Sequence, residues 1–164
     1  MNSSKEKLRR ELTKLWTGEL AAVISFWVCF FVIKKWLIGT LALLSVICPL
    51  CILSFILIQG SVYWWILLKR LTMPDFAKGR VGNIYRFLKV IDVFLLCLGL
   101  VAIPIYNNIA TVFIGIPIWM FALIEWINYY KIRLSYSYNP TILLRHVKNG
   151  TLKKSRLARE IEKR

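Results

Sequence analysis

The chain has 164 residues, 58% of them hydrophobic, with a mean hydropathy of +0.59 and 23 Lys and Arg against 8 Asp and Glu, a net charge of +15. So much apolar surface cannot be hidden in a water-soluble globule of this size, so apolar and charged residues must separate in space. All four cysteines lie in apolar stretches, which excludes an extracellular disulfide framework, and the single histidine, His146, excludes a histidine-rich metal site.

Four apolar stretches, residues 15–33, 36–68, 90–106 and 109–130, are each long enough, alone or with their flanks, to cross about 30 Å of hydrocarbon at about 1.5 Å per residue. Of the 23 Lys and Arg, only Lys34 and Lys35 fall on one side of the resulting arrangement. Positive-inside logic then places both termini and the middle loop in the cytoplasm. The predicted fold is all-α: a polytopic membrane protein with four transmembrane helices in an antiparallel bundle, in the cytoplasmic (inner) membrane of a bacterium.

A basic arm, residues 1–14, opens the chain, and Ser3 and Glu6 have capping-box spacing, so the arm should be continuous with the first span, 15–33. No cleavable signal peptide is expected, because the first apolar run leads into more membrane rather than to a small-residue cleavage site. Gly18, Ala22, Ser25 and Cys29 form a strip of small side chains that would admit a neighbouring helix. An outer turn, 34–39, is expected to use Gly39. The second apolar run has 33 residues, roughly 50 Å as a helix, too long for modest tilt. The second span is therefore placed at 40–68, with a kink at Pro49 and an interruption at Gln59, Gly60 and Ser61. Beyond it, Tyr63, Trp64 and Trp65 suit the headgroup level, as an inner interfacial extension.

A basic cytoplasmic loop follows at 69–82, then a third span at 83–106 starting near Asn83. Asn107 and Asn108 form an outer turn so short that the third and fourth spans, 83–106 and 109–130, must be an antiparallel hairpin. The basic tail, 131–164, is broken at Pro140 and Gly150, with short amphipathic helices expected at 141–148 and 151–163.

Three carboxylates fall inside the apolar stretches: Glu19, Asp92 and Glu125. Counted from Lys14, Lys89 and Lys131, they stand at comparable depth in the cytoplasmic leaflet, where an acidic cluster could handle protons or cations. Lys14, Gln59, Arg86, Lys89, Asn128 and Lys131 lie near enough along the chain to pair with them, Lys89 and Asp92 as i, i+3 neighbours. Arg145, Lys148, Lys153, Lys154 and Arg156 form a patch for anionic headgroups or an acidic partner. Nucleic acid is not expected, because the tail lacks interleaved aromatics.

Cys48-Pro49-Leu50-Cys51 is a C-x-x-C pair, spacing that supports dithiol chemistry. In helix number and in this motif the chain resembles the four-helix membrane oxidases that pass electrons from thiols to quinone, the disulfide-forming oxidases and the vitamin K epoxide reductase relatives. The resemblance implies a thiol–quinone oxidoreductase. It departs from those proteins in the position of the pair, since Cys48 lies thirteen positions after Lys35 and the outer turns hold no second pair. No P-loop, GxGxxG or GxSxG occurs, and no metal or cofactor is implied. Asn149-Gly150-Thr151 and Asn2-Ser3-Ser4 match the glycosylation pattern but fall on the cytoplasmic side.

The function expected first is that of a small non-enzymatic membrane accessory protein, in immunity, defence or regulation of a membrane complex, acting by helix packing with a membrane-protein partner or as a homo-oligomer. The alternatives are an oligomeric ion or proton channel or small transporter using the inner-leaflet carboxylates, and the thiol–quinone oxidoreductase.

Overall fold

The computed structural model describes residues 2–36, 40–77, 79–106, 109–132 and 154–162. Among them the chain is helical throughout its regular elements: α1 (Asn2–Ile33), α2 (Thr40–Arg70), α3 (Arg80–Ala102), α4 (Ile109–Tyr130) and a short α5 (Arg156–Glu162), with single 3-10 turns at Lys34–Trp36 and Ile103–Tyr106. Three helices are long and apolar enough to cross a membrane, over Ser4–Ile33, Leu43–Arg70 and Thr111–Tyr130. The fourth, α3, has 23 residues and carries Arg86, Lys89 and Asp92 in its body. The expected turns at Gly39 and at Asn107 and Asn108, and the expected helix at 141–148, lie outside the described residues.

The arm and first apolar stretch form one helix. Because α1 already includes Asn2, Ser3 sits within the helix rather than at its cap, and Glu6 accepts a 2.8 Å bond from Arg10 on the next turn.

α2 is the central helix. Helices α1, α3 and α4 all pack on it, and 61% of its apolar span is buried, against 6% for α1 and 22% for α4. Sequence neighbours run antiparallel. Trp27 and Trp16 of α1 meet Ser54 and Ser61 of α2, in the order that reversal requires. Tyr63 stacks on Tyr85 with ring centroids 5.6 Å apart while Gln59 meets Asp92, which sets α2 against α3. Trp119 of α4 donates to the Leu96 carbonyl of α3 at 2.8 Å.

No turn divides α2. Gln59, Gly60 and Ser61, expected to interrupt it, are all buried, and each meets a neighbour: Gln59 bonds Asp92 and Tyr130, Gly60 lies under the Tyr129 ring, and Ser61 donates to the Trp16 carbonyl at 3.2 Å. Polar residues read as a helix break are instead the points where α2 is tied to the other three helices. Pro49 is likewise carried inside the helix, buried by its neighbours.

Apolar side chains gain little by leaving lipid for a protein core, so close backbone approach and interhelical hydrogen bonds take over the role that hydrophobic burial has in water. The close approaches lie on α2, α3 and α4. A Cβ at Gly99 would stand 2.6 Å from Ile52 Cδ1, and one at Gly115 would stand 3.0 Å from the Ser45 carbonyl oxygen. The strip of small residues on α1 is not such a seam. Gly18 has open space where a Cβ would be, Ser25 and Cys29 are exposed, and only Ala22 packs against the core. α1 seats instead through Phe26, Trp27 and Phe30.

The tail returns to the bundle. Ser155 caps α5 by accepting the Ala158 N–H at 2.9 Å, and its hydroxyl donates to the Tyr129 carbonyl. Leu157, Ala158 and Ile161 are buried, Leu157 and Ile161 in one cluster with Val81 and Tyr85. Glu160 accepts Arg70 at 2.8 Å and Tyr63 at 3.3 Å. Of the helix expected over 151–163, Arg156–Glu162 is helical and Lys154 and Ser155 are not, and α5 packs against α3 and α4.

Candidate functional site: two carboxylates in one cavity

On α4, Glu125, Asn128 and Tyr129 stand at i, i+3 and i+4, one face of the helix. That face looks toward Glu19 of α1 and Trp64 of α2 across a cavity of about 320 Å³, closed by residues Ser155, Arg156 and Leu157 of the tail. Asn128 holds the Glu125 carboxylate with a 3.2 Å bond from Nδ2 to Oε2.

Two donors face these carboxylates: the indole N–H of Trp64 and the hydroxyl of Tyr129, whose residue is only 4% exposed. Both lie close enough to the Glu19 carboxylate to interact with it electrostatically. Two carboxylates with an indole N–H and a phenol hydroxyl beside them give the cavity a polar lining inside an otherwise apolar bundle.

Tyr129 is placed by a glycine. A Cβ on Gly60 would stand 2.3 Å from the Tyr129 ring and hydroxyl, so only the bare backbone of α2 lets the ring lie there. Gly60→Ala should therefore displace Tyr129 and cost about 1–3 kcal/mol of stability, the usual range for overpacking. Thermal unfolding in detergent would check it, and an unchanged midpoint would contradict this placement.

Asp92, expected in the same cluster, is elsewhere. It is fully buried between α3, α2 and α4, where its Oδ1 accepts Gln59 Nε2 at 2.8 Å. Gln59 Oε1 in turn accepts the Tyr130 hydroxyl at 2.8 Å, and the Tyr85 hydroxyl donates to the Gln59 backbone carbonyl at 2.7 Å. The second oxygen of Asp92 completes no hydrogen bond. The consecutive residues Tyr129 and Tyr130 thus face two different polar centres.

None of the expected cations neutralises a carboxylate among the described residues. Lys14 is exposed in a cleft with Glu6 and Glu11, Arg86 donates to the Ile161 carbonyl at 2.8 Å, and Lys131 lies over the Trp126 ring at 5.5 Å. The i, i+3 pair of Lys89 with Asp92 does not form, because Asp92 points into the bundle. Of the proposed docking patch, Lys154 is paired with Glu162 at 2.8 Å and Arg156 lines the carboxylate cavity, while Arg145, Lys148 and Lys153 lie outside the described residues.

Cys48 and Cys51 are free thiols on α2, the first half-buried and the second exposed. No group of three His, Cys, Asp or Glu able to hold a metal occurs among the described residues. The residues that sequence reasoning missed are Gly60, Trp64, Tyr85, Tyr129 and Tyr130. The i, i+4 spacing of Glu125 and Tyr129 was the available signal, obscured because aromatics near a span's end also suit the headgroup layer.

Between α1 and α4 the backbones hardly meet. Between these helices the Phe26 and Phe121 rings lie 5.5 Å apart, and a separate, apolar cavity of about 320 Å³ is lined by Cys29, Phe30 and Pro117. No family model, no curated protein and no solved structure matches this chain, so the site is interpreted from its own geometry.

Proposed function

We propose that this is a four-span protein of the cytoplasmic membrane, both termini inside, that takes a small monovalent cation, the proton included, into the cavity between Glu19 and Glu125, as a small transporter or channel. The observation that carries this reading is that Glu19 and Glu125 line one cavity and neither forms an ion pair among the described residues, with Arg156 at the cavity's tail side. A cation entering there would exchange its water for carboxylate oxygens in a low-dielectric site, where that attraction is strongest. The site lies within one protomer, so binding does not need copies arranged around a pore.

Crossing by α3 is supported by its length, roughly 35 Å at about 1.5 Å per residue, and by its exposed face of Phe87, Val90, Phe94, Leu98 and Val101. Orientation is tested by fusing alkaline phosphatase and green fluorescent protein to either end. Fluorescence without phosphatase activity at both termini is expected, and phosphatase activity at either one rules out the assignment.

Function is tested in proteoliposomes under gradients of Na⁺, K⁺, H⁺ or tetraethylammonium. Flux above that of empty vesicles, lost in Glu19→Gln with Glu125→Gln, is expected, whereas no flux of any of the four ends the transport reading. A second reading, an accessory protein packing against a partner helix or its own copy, is favoured by the open surface at Gly18, Ser25 and Cys29. A Gly18→Leu variant that leaves native mass and partner capture unchanged would end that one.

A further inference from the structure

On the far side of α5 from the carboxylates lies a larger cavity, about 570 Å³, between the end of α2, the start of α3 and α5. Four guanidinium groups line it, those of Arg70, Arg86, Arg156 and Arg159, against one carboxylate, Glu160. Two of the four are fixed in place. Arg70 is held by Glu160 at 2.8 Å and by the Phe76 carbonyl at 3.0 Å, and Arg86 by the Ile161 carbonyl at 2.8 Å. Arg156 and Arg159 form no ion pair among the described residues, which leaves the cavity with a large excess of positive charge.

The amino end of α3 adds to this. Gly79, in the left-handed region at φ 82°, precedes the helix without a side-chain cap, and Gly79 and Gly82 line the same cavity. At Gly79 glycine adopts the left-handed angle without strain, and at Gly82 the missing Cβ lets the backbone of α5 come close, 3.1 Å from where that Cβ would stand to the Glu160 carbonyl oxygen. Planar guanidinium groups from three elements around an uncapped helix start match the oxygens of a phosphate group, which accept paired N–H donors and favour the positive end of a helix. Leu67 and Ile161 form apolar wall beside the charges, as a phosphate attached to a lipid would require.

We infer that this arginine-lined cavity binds an anionic phosphate group, that of an inner-leaflet phospholipid headgroup or of a soluble phosphate. It does not rest on the cation reading: Arg156 borders both cavities, but Arg159 lines this one and not the other, so Arg159→Gln separates the two.

The test uses the full-length protein, in nanodiscs of phosphatidylglycerol or phosphatidylcholine and in lipid-free micelles titrated with inorganic phosphate or pyrophosphate. Retained lipid is read by native mass spectrometry and soluble anion binding by calorimetry. Preferential retention of phosphatidylglycerol, weakened about fivefold by Arg159→Gln and about 25-fold by Arg156→Gln with Arg159→Gln, supports the lipid source, at the usual worth of one basic residue beside an anionic headgroup. Binding of phosphate or pyrophosphate in micelles with the same dependence supports the soluble source. Equal loss in a Lys5→Gln, Lys7→Gln control would show general charge attraction and overturn the site. So would equal retention of both lipids with no soluble anion bound, or a double variant that binds like the parent.

Discussion

Glutamine at both Glu19 and Glu125 is expected to reduce cation binding about 100-fold, and at either position alone about tenfold. Each carboxylate would supply a charge-assisted contact of about 1.5–3 kcal/mol, and every 1.4 kcal/mol is a factor of about ten. Glutamine keeps the size and one acceptor oxygen, so the helices should still pack and the loss reports charge. Asn128 donates to Glu125, so Glu125→Gln also perturbs that bond. Calorimetric titration of the purified protein with Na⁺, K⁺ and tetraethylammonium reads it directly. Binding by the double variant at parental strength would remove the carboxylates from any role in the site. Asp92→Asn should leave cation affinity within about twofold, because Asp92 is buried against Gln59 and does not line the cavity.

The largest stability effect is expected at Gln59. Its side-chain amide is both donor to Asp92 and acceptor from Tyr130, joining α2 to α3 and α4 through polar contacts. Gln59→Leu deletes both bonds and strands a fully buried carboxylate. Interhelical hydrogen bonds in membrane proteins contribute about 0.6 kcal/mol on average and about 1.7 at most, while an orphaned buried group adds about 1–3. A loss of about 2–4 kcal/mol follows, readable by steric trapping or by thermal unfolding in micelles. Adding Asp92→Leu should recover part of it, since replacing both members of a buried polar pair by apolar groups costs less than stranding one. If the double variant is less stable than Gln59→Leu, the carboxylate is supported by something other than Gln59.

The carboxylates show how far sequence reasoning reached. Their order along each helix was legible, because a helix rises a constant distance per residue from the flanking lysines. Their direction was not. Glu125 faces Glu19 because of its azimuth on α4, while Asp92 is turned by α3 toward Gln59. In lipid, outward and inward faces are both apolar, so hydropathy has no period from which to read azimuth. The same limit misled the reading of Gly18, Ala22, Ser25 and Cys29 as a packing seam, and of Gln59, Gly60 and Ser61 as a break. Small and polar residues mark close approaches, but which neighbour fills them depends on how the helices are arranged. The tail was hardest: α5 has only seven residues, and its burial depends on Ser155, Glu160 and Ile161 meeting Tyr129, Arg70 and Arg86 from distant parts of the chain.

The sequence by itself determined that long apolar helices are flanked by basic segments, and in what order the ionisable residues fall along them. Helix length and charge placement are local properties, limited by the cost of moving apolar groups into water or charges into hydrocarbon. Only the tertiary structure decided that two carboxylates share a cavity, that the third is tied to Gln59, and that the tail gathers four arginines around a second cavity. Those groupings depend on rotation of each helix about its axis, which is set where Gly60, Gly99 and Gly115 let neighbours come close and where polar groups find partners.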